Sequence, residues 1–258
     1  MNLKNMKTAN PAMNQFEQQA VSLGPVDEMI RDDSQRMTVN GTINKTGILL
    51  LIMVAVGAWT WQTMLNDPGL GRTLMLTGMF GGLIVGLVVA FKPKFAVAGS
   101  MIYAVLQGLF VGGISAIFEA RYPGLVSQAV GLTVAVMFAM LFSYRTGLIK
   151  VTETFKKVIV FATMGIAVFY LFSLVAHFGF GANISYFNTE NASMMSIGLS
   201  VFVVGIAALN LVLDFDFIER GSEQNLPKHF EWYGAFGLMV TLVWLYIELL
   251  RLLAKLRD

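Results

Sequence analysis

The sequence has no cysteine, only two histidines, only six prolines, and charge on just 13% of its 258 residues. Without cysteine, disulfides, thiol redox chemistry, iron–sulfur clusters and cysteine nucleophiles are all excluded. Soluble domains carry about 25% charged residues, so a deficit this large excludes an ordinary water-facing surface. The net charge of +2 is too small, and its basic residues too scattered, for a nucleic-acid binder. A cleavable amino-terminal signal of the usual form is also not expected, because the first apolar run begins only at Thr46. What the chain has in quantity is apolar surface: 56% hydrophobic residues, with 20 Phe and 16 Met. That composition belongs in a bilayer.

Seven apolar runs reach the roughly 17 to 25 residues that a helix needs to cross. They cover residues 46–65, 73–91, 95–118, 122–144, 158–180, 192–213 and 232–256. Backbone amides in lipid must be satisfied within helices or closed barrels, so the expected fold is an all-α, seven-transmembrane bundle. Residues 1–45 form a polar tail, expected to be disordered, and residues 46–258 form the bundle. With the tail in the cytoplasm, eleven Lys and Arg near span ends fall on the inner side and five on the outer. The positive-inside rule therefore predicts a cytoplasmic amino terminus and, after seven crossings, an external carboxyl terminus.

Small residues recur at four-residue spacing in the second and third spans: Gly78, Gly82 and Gly86, then Gly108 and Gly112. Gly81, Gly113 and Ser115 extend these stripes. Such spacing brings helix backbones close together, and packing is the role it predicts. His177 and His229 lie near opposite span ends, so no converging metal set is expected. Asn-x-Ser triplets at Asn183 and Asn191 are weak acceptor signals for glycosylation.

Acids near the carboxyl end are the informative residues. Asp214, Asp216 and Glu219 close the sixth span, and Glu248 follows sixteen uncharged residues in the seventh. Ionisable groups at membrane depth are costly and point to function. Asp216 and Glu219 sit beside Arg220 at the water boundary, where a solvated helix end accounts for them. Glu248 has Arg251 three residues on and Lys255 seven on, so it has both a structural and a functional reading. Asp214 has no cation nearby in sequence. Allowing eighteen residues for the helix end and loop places Glu248 about 25 Å beyond Asp214 in upright antiparallel helices, too far for contact. The acids have no accompanying nucleophile or cofactor motif, so an enzyme is not expected.

Four stretches are distinctive: MTVNGTINKTGILLL at Met37–Leu51, SYRTGLIKVTETF at Ser143–Phe155, ALNLVLDFDFIERG at Ala208–Gly221, and EWYGAFGLMVTLVWLYIELLRLLAKL at Glu231–Leu256. Together they resemble the Bax inhibitor-1 family, most closely its bacterial, YccA-like branch. The resemblance implies a bundle with the last helix central and an acid pair between helices six and seven that senses pH and gates a calcium leak. Carried onto this chain, Asp214 and Glu248 are the gating residues and transient calcium ligands, with Asp216, Gln107 and Arg251 as supporting or pore residues. Glu248 replaces the family's aspartate, and Gln107 stands where relatives often have glutamate. A neutral amide removes one cation-attracting charge, which favours a transient calcium site over storage. The implied setting is a bacterial inner membrane, with calcium or other cations as cargo and no resident cofactor. A second reading makes the protein a regulator or substrate of a membrane-anchored ATP-dependent protease, acting through the tail.

Overall fold

A computed structural model describes residues 36–180 and 193–257. The tail before residue 36, the side chain of His177, and Asn183 and Asn191 lie outside the described residues. The unit from Met37 onward is the subject below. It holds seven helices long and apolar enough to cross a membrane. They are α1 Val39–Asn66, α2 Pro68–Phe91, α3 Ala96–Arg121, α4 Leu125–Arg145, α5 Glu153–Phe180, α6 Met194–Glu223 and α7 Phe230–Arg257. A 3-10 turn, Pro93–Phe95, separates α2 from α3. This is the expected all-α, seven-helix bundle.

Local chemistry sets the helix ends. The Thr38 hydroxyl accepts from Gly41 N at 3.0 Å and caps α1. Asp67 caps α2 through Leu70 N at 3.0 Å, and Pro68, which lacks an amide hydrogen, occupies the first helical position. Gly124 enters α4 at φ 76°, a left-handed conformation suited to glycine, while Glu119 accepts from Gly124 N and Val126 N. Several helices run past their apolar cores into polar sequence. α1 begins at Val39 rather than Thr46, and α6 continues to Glu223, ten residues beyond Leu213. A helix needs only its own hydrogen bonds to persist into water, whereas hydropathy marks only the part in lipid.

The last helix is the centre. In its most apolar stretch 61% of residues are buried, against 44% or less in every other helix and 6% in α5. α7 packs against α1, α3, α4 and α6. On one side Ala235, Phe236, Met239 and Val243 meet Leu49 of α1, Val89 of α2, and Tyr103 and Ala104 of α3. Leu238, Leu242, Leu245 and Leu249 meet α4 at Leu125 and Ala129, and α6 at Ala207 and Leu211. Glycine brings α1, α2 and α3 together as its spacing predicts. A β-carbon on Gly112 would fall within the Gly57 backbone, and one on Gly78 would strike the Leu106 carbonyl.

Candidate functional site

Six residues of α7 follow one another in steps of four, three, four, three and four: Gly237, Thr241, Trp244, Glu248, Arg251 and Lys255. At about 100° per residue they stay within a strip about 80° wide. This stripe faces α5 and α6. Its first two members meet Asp214, whose carboxyl lies against the Thr241 hydroxyl. At Gly237 a β-carbon would stand 3.5 Å from Asp214 Oδ1. Trp244 packs on the cluster formed by Ile159 and Ile166 of α5 with Val203 and Ile206 of α6. Glu248 accepts from the Tyr170 hydroxyl of α5 and pairs with Arg251 at 3.3 Å. The Arg251 guanidinium lies 5.8 Å from the centre of the Tyr170 ring. Lys255 donates to Ser200 Oγ at 2.9 Å and to the Ser196 carbonyl at 3.4 Å, both on α6.

These contacts fix an antiparallel register with Asp214 opposite Gly237 and Ser196 opposite Lys255. Glu248 then falls eleven residues beyond Gly237, about 16 Å along the axis. The structure does not bring Asp214 and Glu248 into contact. Their separation is nonetheless shorter than the 25 Å expected for an upright pair. The reason is that α6 continues nine residues past Asp214 and α7 starts at Phe230, so the connecting loop is short and Asp214 faces the first turns of α7.

Buried polar groups in proteins normally find partners, so exceptions are informative. Among the described residues, four buried side-chain atoms have none: Asp214 Oδ2, Trp244 Nε1, Ser196 Oγ and Gln107 Oε1. The first three lie along the α6–α7 seam. Gln107 stands apart, packed against Gly82 between α2 and α3. Asp216 is also apart. It points toward α5, where Lys156 meets Oδ2 at 3.2 Å, and Arg220 of its own helix meets Oδ1 at 2.8 Å. A cleft of about 320 Å³ opens there, lined by Lys156, Leu213, Asp216, Phe217 and Arg220 among others. Thus Asp214, Glu248 and Arg251 share one seam, whereas Asp216 and Gln107 do not reach it. Glu219 bonds the Tyr144 hydroxyl of α4.

Sequence reasoning did not single out Glu231, which is fully buried at the start of α7. It accepts from Thr38 N and Thr38 Oγ1 and pairs with Lys45 and Lys228, closing α1 onto α7. It also missed Tyr170, Thr241 and Trp244. The three-and-four spacing on α7 was a visible signal for the stripe; nothing in the sequence marked Tyr170. Among the described residues no three His, Cys, Asp or Glu side chains converge as a metal site.

Seven spans, six of them packed around the seventh, with a carboxylate-bearing seam inside, define an integral membrane protein. The chain belongs to the Bax inhibitor 1 like family, whose model matches residues 3–258. The match extends well beyond the stretch from Met37 on which the resemblance rests. No curated protein and no solved structure matches it.

Proposed function

We propose that the protein is a pH-sensitive cation leak of a bacterial inner membrane, amino terminus in the cytoplasm, with calcium among the ions it passes. The observation that carries this reading is the buried Asp214 oxygen without a hydrogen-bond partner, set on a seam where Trp244 and Ser196 also hold unpartnered polar atoms. Family membership supports the same reading. The cleft beside Leu213 and Asp216 serves as the inner mouth. Within the seam, past Asp216 and its two cations, Asp214 is the first carboxyl a cation meets, and Glu248, held by Tyr170 and Arg251, is the second. Calcium favours six to eight oxygen ligands, and two carboxyls about 16 Å apart cannot share one ion. The arrangement suits passage rather than storage. Protonation removes the charge that attracts the ion, so gating follows the proton content of these two carboxyls. No reaction is catalysed.

Proteoliposome flux of calcium, sodium and protons across a pH series tests this. Asp214→Asn is expected to flatten the pH profile, and Asp216→Asn to leave it unchanged because that carboxylate is already neutralised by Lys156 and Arg220. The reverse result places the sensor at Asp216. Background flux for every ion, together with loss of cellular function on removing Met1–Gln35, favours the protease-partner reading instead.

A further inference from the structure

α5 meets the bundle along a narrow stripe. Lys156, Ile159, Thr163, Ile166 and Tyr170 follow one another in steps of three, four, three and four and turn inward, while Phe161, Met164, Val168 and Phe172 are exposed. Such spacing makes a seam like that of a coiled coil, here with polar and apolar residues in alternation. The two isoleucines pack on Val203 and Ile206 of α6. The three polar residues stand seven apart, so they line up over about 21 Å. Lys156 meets Asp216 at 3.2 Å, Thr163 Oγ1 accepts from Asn210 Nδ2 at 2.8 Å, and the Tyr170 hydroxyl donates to Glu248. Each of these partners also holds a bond within its own helix: Asp216 to Arg220 at 2.8 Å, Asn210 Nδ2 to the Ile206 carbonyl at 2.8 Å, and Glu248 to Arg251 at 3.3 Å. A polar group stranded in a bilayer is costly, and that cost ordinarily keeps polar helix faces together. Release of α5 strands none of the three.

We infer that α5 is a lateral gate: a helix that swings away from α6 and α7 as one rod and uncovers the α7 stripe from Trp244 to Glu248, with the Thr163–Asn210 bond as its middle latch. The inference rests on the leak reading above for what passes once the seam is uncovered; the motion of α5 does not depend on it. Bonds in one line hold a rod without bracing it sideways, so their release frees its whole length. Asn210 is the latch that matters most to the ion, because it stands one turn before Asp214 on α6. When the latch is closed, α5 covers the seam beside Asp214; when it opens, Asn210 turns back to its own helix and the seam is exposed along its side.

The chain has no cysteine, so introduced cysteines alone take a label or a bridge. Spin labels at Leu51→Cys of α1 and Val168→Cys of α5, both exposed positions, report the distance from scaffold to α5 in the full chain in liposomes. Thr163→Val removes the acceptor and keeps the shape. It is expected to raise the ratio of displaced to closed α5 roughly fivefold, the worth of one hydrogen bond, and calcium flux with it. Thr163→Ser keeps the hydroxyl and returns both to the original level. In a separate protein, Thr163→Cys with Asn210→Cys breaks the latch and raises flux; a mercury(II) ion bridging the two thiols is expected to bring flux below that of the unaltered chain, and excess free thiol to reverse it. Restoring a merely structural bond would return flux to the original level and no lower. The inference is overturned by a distance distribution that Thr163→Val leaves unchanged, or by a bridged protein that conducts as freely as the unbridged one. Background flux in every protein, with the α5 distance still shifting, is a different failure: it refutes the leak reading and leaves the motion of α5 standing.

Discussion

The side of α7 that carries Phe236, Met239 and Val243 is closed by apolar contact and by glycine-mediated approach of α1, α2 and α3. The side that carries Thr241, Glu248 and Lys255 is closed by a few directed polar bonds to α5 and α6. On the first side, the Tyr103 and Phe236 rings meet edge to face at 4.9 Å, and the polar Ser115–Tyr246 contact is fully made at 2.6 Å. On the second, polar atoms are left without partners and the outer helix, α5, is mostly exposed. Dense apolar packing resists displacement in every direction, whereas a directed bond resists only along its own line. The first side is a scaffold, and the second is expected to yield first.

The largest loss is expected at the polar clasp that closes α1 onto the first turn of α7. Glu231→Gln strips the counter-charge from Lys45 and weakens the bonds to Thr38, costing about 3 kcal/mol. A lowered unfolding midpoint in detergent checks it; an unchanged midpoint would show that the clasp contributes nothing. Gly112→Val on the scaffold side forces α1 and α3 apart and is expected to cost about 2 kcal/mol, with the midpoint lowered and the glycine-packed face disturbed.

The scaffold was the part most open to sequence reasoning. Gly78, Gly82, Gly108 and Gly112 declare close helix approach by spacing alone, because a larger side chain meets backbone at Gly78, Gly108 and Gly112 and the Gln107 side chain at Gly82. The seven spans follow from hydropathy for a similar reason: the bilayer imposes one simple requirement on every residue in it. The seam was only half legible. Asp214, Glu248 and Arg251 stand out as charges in apolar sequence, but which of them touch depends on how far α6 extends, and polar residues beyond Leu213 carry no hydropathy signal for that. Tyr170 was invisible because a tyrosine in a membrane helix is unremarkable until its partner is known. Glu231 was not singled out because one acid at the edge of an apolar run carries no sign of burial, although the fold buries it completely.

Smaller effects are expected on the polar side. Tyr170→Phe removes one hydrogen bond to Glu248, costs about 1 kcal/mol and loosens α5. Faster amide exchange in α5 with little change in α1 to α3 would sharpen the contrast, and a uniform change across the bundle would erase it. The smallest stability effect is expected from Asp214→Leu. Replacing a buried carboxyl that lacks a full set of partners leaves stability unchanged or raises it by about 1 kcal/mol. A marked loss would show that Asp214 belongs to the scaffold after all.

The first described turn of the bundle carries a mechanical consequence. The Met37 amide donates to the Leu226 carbonyl at 2.7 Å, and the next amide, that of Thr38, donates to Glu231 at 2.9 Å. Met37 itself is almost wholly buried. Tension reaching this point along the chain is therefore not borne by α1 alone. Two successive amides hand it to the loop before α7 and to the first turn of α7, and only a few turns further along that rigid rod stand Gly237 and Thr241, against Asp214. A tug on the leading end of the bundle is thereby a tug on its axle.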